Sequence, residues 1–184
     1  MRLIAAMLPQ VAFLLFAALP LSVVASEGMS RSASSFDIRE DVLDLRASDV
    51  EITPPIKGET RISSAFGVRI DPVSGGIRVH TGVDLAARHG TPVVAADAGT
   101  IAFLGVDKRG YGRYVVVQHA AGYSSWYAHL STLAKGLHIG TRLSPGQLIG
   151  AVGQSGRTTA PHLHFEVRFN NLPIDPLRVI PRKC

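Results

Sequence analysis

The stretch His162-Leu163-His164-Phe165-Glu166-Val167-Arg168 alternates polar and apolar residues without a break. Side chains two residues apart share one face of a strand. The spacing therefore predicts a β-strand that turns His162, His164, Glu166 and Arg168 to one side and buries Leu163, Phe165 and Val167 on the other. Two imidazoles on one face can reach a common centre, one ligating a metal while the other faces water bound there. Taken alone, such a His-x-His pair reads equally well as two half-exposed surface histidines.

The same kind of pattern recurs towards the N-terminus. Runs rich in β-branched and aromatic residues predict strands at Arg61–Phe66, Pro92–Ala96, Gly99–Gly105, Tyr114–His119, Ser124–His129 and Gln147–Val152, besides His162–Phe169. The chain holds 18 Gly and 11 Pro, many of them between these runs, where they make turns. No long helical period interrupts the series. The fold class that follows is all-β, with a small antiparallel β-sheet core.

Two further segments carry metal-ligand chemistry. In His80-Thr81-Gly82-Val83-Asp84 an extended backbone would put positions i and i+4 on one face, and His nitrogen and carboxylate oxygen are both zinc ligands. Gly82 between them permits a bend. In Trp126-Tyr127-Ala128-His129-Leu130 a histidine ends an aromatic, strand-like run. Either segment alone is weak: a turn aspartate beside a surface histidine, and an edge histidine bonded to backbone, account for them.

Together, and in this order, they resemble the catalytic domain of lysostaphin-like, or LytM-type, metallopeptidases. The resemblance runs from about Pro55 to Pro176, roughly two-thirds of the chain. It is carried by Arg61 to Arg69, His80 to Asp84, Gly90-Thr91-Pro92-Val93, Tyr127-Ala128-His129-Leu130, Gly146 to Gly150, Pro161 to Glu166 and Asp175-Pro176. Arg113 departs from it, standing where Asn is frequent, and so does Ala160, where many members have Gly. The resemblance implies His80, Asp84 and His164 as zinc ligands and His129 and His162 in the catalytic places. It implies a small antiparallel sheet with a groove across one face, like a duplicated hybrid motif. It also implies cleavage of peptide bonds in peptidoglycan stems or cross-bridges. Three protein ligands leave a fourth position open, the mark of a catalytic zinc site.

Two other readings compete. Some relatives have lost ligands and act as silent, wall-binding activators of a separate amidase; here all five positions are filled, which favours an enzyme. A structural zinc site is usually closed by four ligands, often cysteines. The only cysteine, Cys184, does not supply that set. Ser155 is not a hydrolase elbow, because the Gly-x-Ser-x-Gly pattern fails at Arg157. His89, His119 and His138 pair with no second element and stay unassigned.

Residues 1–25 read differently from the rest. One base, Arg2, precedes an apolar stretch from Val11 to Leu19, and the run ends Ser22-Val23-Val24-Ala25. This describes a cleaved secretory signal rather than a membrane span. Export to the periplasm or cell envelope follows, with membrane attachment only if the segment is retained. Residues 26–53 read as a linker or N-terminal flap, with one short helix over Asp37–Arg46. An acid of this segment is a competent cap for a metal. Residues 54–184 form the metallopeptidase domain. Without its first 25 residues the chain has 18 bases against 14 acids, a balance suited to an anionic wall surface. No basic stripe interleaved with aromatics points to nucleic acid.

Overall fold

The computed structural model describes residues 52–58, 60–71 and 74–180. The signal segment, the Asp37–Arg46 helix, most of the flap and Cys184 lie outside the described residues. Thirteen strands follow one another: β1 (Arg61–Ser64), β2 (Gly67–Ile70), β3 (Ile77–His80), β4 (Val83–Ala86), β5 (Pro92–Val94), β6 (Gly99–Asp107), β7 (Gly112–Gln118), β8 (Tyr123–Ala128), β9 (Leu130–Leu133), β10 (Arg142–Leu143), β11 (Leu148–Val152), β12 (His162–Phe169) and β13 (Leu172–Ile174). Two short 3-10 turns, Ala120–Gly122 and Pro176–Arg178, complete the described elements.

The strands pair antiparallel in three sheets. The largest has the order β1-β4-β12-β8-β7-β6-β10, with β13 also on β12. A second sheet has the order β5-β11-β9, and β2 and β3 form a separate ribbon. The alternation in β12 is realised as expected: Leu163, Phe165 and Val167 are fully buried. They share one apolar cluster with Val83 and Leu85 of β4, Val115 and Val117 of β7, and Val93, Leu130 and Ile149 of the smaller sheet. Ile52 and Ile56 belong to the same cluster, and Ile52 N–H donates to Val179 O at 2.8 Å.

Every strand expected from the sequence forms, with shifted ends. Six others were not anticipated, and the ribbon shows why. On β2–β3 the apolar residues Val68, Ile70, Ile77 and Val79 point outwards and are 59–85% exposed. Its other face carries Arg69 and Arg78, which bond to carboxylates. The expected extended run from His80 to Asp84 also needs correction. His80 closes the ribbon, while Asp84 lies in the large sheet, so the two ligand-type residues sit in different sheets. Gly82 is needed less for a bend than for space: a Cβ there would lie 2.3 Å from Phe165 O and 2.8 Å from Glu166 Cγ. That close approach lets the chain cross from ribbon to sheet directly over β12.

Candidate metal centre

Sheet register builds the site. Antiparallel pairing of β4 with β12 sets Asp84 opposite His164, and pairing of β8 with β12 sets Ala128 opposite the same residue. His129 therefore emerges beside His164 from the next strand, and His80 arrives from the ribbon. All five residues expected from the sequence converge.

His80 Nε2, Asp84 Oδ1 and His164 Nδ1 lie 2.9–3.0 Å from one another. All three residues are buried, and together they form a cluster able to hold a metal ion. Their remaining atoms are engaged elsewhere. His80 Nδ1 meets Ala65 O at 2.7 Å, and a carbonyl can only accept, so this nitrogen carries the proton. His164 Nε2 meets Glu166 Oε1 at 3.0 Å and donates to that carboxylate. The second oxygen of Asp84 accepts from Arg69 Nη1 at 3.2 Å. In neutral rings, three electron pairs thus face one point with no proton between them. Burial opposes charge on His164, yet Asp84 and Glu166 outweigh it and raise its proton affinity. For Asp84, burial is outweighed by hydrogen bonds from His162, His164 and His80 when these rings are protonated, and they hold the carboxyl far below the usual range. The field at this point draws positive charge, and the donor set of two imidazoles and one carboxylate fits zinc.

The other two histidines flank the cluster. Their rings stand 4.8 Å apart, centroid to centroid, and His129 is 5.8 Å from His164. His162 Nδ1 donates to Ala160 O at 2.9 Å, which leaves Nε2 3.5 Å from Asp84 Oδ1. His129 Nδ1 donates to Ser155 O at 2.8 Å, which turns its Nε2 to the same centre. His129 has φ 61°, a left-handed conformation that costs a residue with a side chain of order 1 kcal/mol. Its N–H bond to Tyr111 O at 2.8 Å holds it there. Burial, then the charge of His162, lowers its pKa to about 4, so the ring is neutral at neutral pH.

Sequence reasoning placed Glu166 on the polar face but gave it no part. It is fully buried and accepts from Thr81 Oγ1 at 2.6 Å, Tyr111 Oη at 2.8 Å and Arg168 Nε at 2.7 Å, besides His164. Burial would raise its pKa, but His164, Thr81 and Tyr111 bring it to about 2. Burial and Glu166 together push the Tyr111 phenol up to about 12. A glutamate two residues after a metal-type histidine, on the same strand face, was the signal available. Tyr111 and Thr81 come from distant segments and carried none.

Residues 78–176 match peptidase family M23. The chain belongs to that family. Over 120 residues it is 47% identical to the DD-carboxypeptidase/endopeptidase Mpg of Neisseria meningitidis serogroup B, a match covering 65% of this chain and 27% of that protein. Among solved structures it resembles a zinc-containing peptidase from Vibrio cholerae, with a TM-score of 0.63 and 33% identity over 69% of this chain and 39% of that one. It also resembles the catalytic domain of lysostaphin from Staphylococcus simulans, with a TM-score of 0.58 and 32% identity over 64% and 90% of the two chains. These likenesses bear out the all-β, lysostaphin-type fold and the peptidase family. The matched stretch spans only about a quarter of the length of the curated relative Mpg.

Proposed function

We propose that this M23 chain is a zinc-dependent endopeptidase that cleaves peptide bonds in peptidoglycan stems or cross-bridges. The observation that carries this reading is the convergence of His80 Nε2, Asp84 Oδ1 and His164 Nδ1, three electron-pair donors whose partner atoms are all engaged elsewhere. These residues would hold the zinc. When bound, zinc supplies Lewis acidity and makes water acidic enough to act as a nucleophile near neutral pH. Glu166 fixes the tautomer and ring plane of His164, and Ala65 does the same for His80. His129, neutral and aimed inwards, accepts a proton. His162 presents Nε2 from the other side, 3.5 Å from Asp84 Oδ1. Between them the two rings cover proton removal and proton return to the leaving amine.

The reading extends to an exported protein of the periplasm or cell envelope, on the signal-like pattern of residues 1–25, with peptidoglycan as its partner. Zinc content and hydrolysis of purified peptidoglycan, measured on one sample, test it. We expect one zinc per chain and soluble peptide products. His80→Ala, Asp84→Ala and His164→Ala should each lose both. A zinc-free protein that binds peptidoglycan without cutting it would favour the silent-activator reading. Full zinc and full activity in His80→Ala would end the ligand assignment.

A further inference from the structure

Beside the metal centre lies an open cleft of about 760 Å³. Arg113, His89, Gln154 and Ser155 line it, and among the described residues no acidic one does. The cleft is joined to the centre through Ser155. The Ser155 carbonyl holds His129, while Ser155 Oγ accepts from Arg113 N–H at 2.8 Å. The junction is tight because Gly112 and Gly156 meet backbone to backbone. Both have positive φ, and a Cβ on Gly156 would lie 2.3 Å from Gly112 N.

Arg113 differs from the arginines on the other sides of the site. Arg69 pairs with Asp84, Arg157 with Asp71 and Arg168 with Glu166. Among the described residues, Arg113 has no carboxylate partner. It is half-buried, and its Nη1 donates to two main-chain carbonyls, Leu130 O and Ser131 O. These two contacts hold the side chain in place without neutralising it. Among the described residues its Nε and Nη2 have no hydrogen-bond partner, and the side chain lines the cleft. A planar guanidinium held in one orientation and uncompensated, on a residue whose main-chain N–H is tied through Ser155 to His129, is built for a carboxylate.

We propose that Arg113 and its cleft form a subsite for a carboxylate that a peptide substrate carries close to the bond being cut. This rests on the peptidase reading above. Two sources share the chemistry: the α-carboxylate at the end of a stem peptide, and a free carboxylate on the diamino acid of a cross-link.

Equilibrium binding to the full chain tests the subsite separately from turnover. One peptide pair is a stem pentapeptide ending in D-alanine, as free acid and as C-terminal amide. The other is a D-alanyl–diamino-acid cross-linked dimer with that carboxylate free or amidated. The wild type should bind the acid of one pair about 10–100-fold tighter than its amide, the range for a charged hydrogen-bonded pair. The pair that discriminates identifies the source. Arg113→Gln should bring the preference within about twofold of unity. Arg113→Lys, which keeps charge but loses the fork, should give an intermediate value. No acid preference in the wild type for either pair overturns the proposal, whether or not the variants fold. A preference that survives in Arg113→Gln, or equal weakening of acid and amide, also overturns it. Hydrolysis of the same peptides is scored independently. Acid-selective binding without cleavage defeats the peptidase reading and leaves the subsite standing. Cleavage without selectivity does the reverse.

Discussion

Two buried polar clusters in this domain are both built on histidine and differ in where their protons go. Behind the large sheet, His119 Nδ1 donates to Ala98 O at 2.7 Å, and its Nε2 lies 2.7 Å from Ser125 Oγ. Ser125 Oγ is 2.8 Å from Tyr127 Oη, which accepts from Ala96 N–H at 2.8 Å. His119 Nε2 can only accept, so the single Ser125 proton goes to it and Tyr127 donates to Ser125. The protons then run in one direction from Ala96 to Ala98, and every atom is satisfied. At the centre formed by His80, Asp84 and His164 the same bookkeeping, with neutral rings, ends with three acceptors and no donor. A satisfied chain stabilises a core; a converging set of unshared electron pairs waits for a cation.

The largest expected effect that would sharpen this contrast is on turnover. His129→Ala and His162→Ala should retain zinc and lose about 10²–10⁴-fold in rate, the usual worth of general acid–base help. Metal analysis alongside the rate assay checks this. If His162→Ala purifies without zinc while His164→Ala keeps it, the roles within His162 and His164 are exchanged.

Next comes Glu166. Glu166→Ala should weaken zinc binding about 10–100-fold, as loss of the group orienting a ligand histidine does. Glu166→Gln retains an acceptor for His164 Nε2 and should recover part of that loss. A competition titration against a chelator reads both. Equal affinities for wild type and Glu166→Ala would show that His164 needs no such support.

The satisfied cluster should respond in stability alone. Ser125→Ala leaves His119 Nε2 and Tyr127 Oη without their shared partner, at about 1–3 kcal/mol. Urea unfolding should show that loss with zinc content unchanged. Loss of zinc from Ser125→Ala would break the distinction between the two clusters.

The smallest effect concerns acid. His129 has its pKa lowered from 6.5 to about 4. Between those values the unfolded chain binds a proton that the folded one does not. Stability of the zinc-free protein therefore falls as pH drops from 6.5 towards 4, by up to about 1.4 kcal/mol per pH unit from this group, and the contribution levels off below. The unfolding curve of His129→Gln across this window should be flatter than that of the wild type. Parallel curves would mean that His129 is as easily protonated folded as unfolded.

What the sequence determined by itself is local. The alternation from His162 to Arg168 sets a strand, its buried face and the histidines on the other face, because a period of two is a property of neighbouring residues. The residue types of His80, Asp84, His129, His162 and His164 restrict the chemistry, because imidazole and carboxylate side chains offer electron pairs to a metal ion where most side chains do not. Tertiary structure decided the rest. The β2–β3 ribbon turns its apolar residues outwards against the usual pattern, so its strands could not be read from hydrophobicity. Pairing of β4 with β12 places Asp84 opposite His164, and pairing across a sheet depends on residues 80 positions apart. Which nitrogen of each ring faces the centre follows from Ala65, Ser155, Ala160 and Glu166, partners that only the folded chain brings within reach. That Arg113 has no carboxylate partner among the described residues is likewise invisible in sequence, because pairing is a fact about space and not about order along the chain.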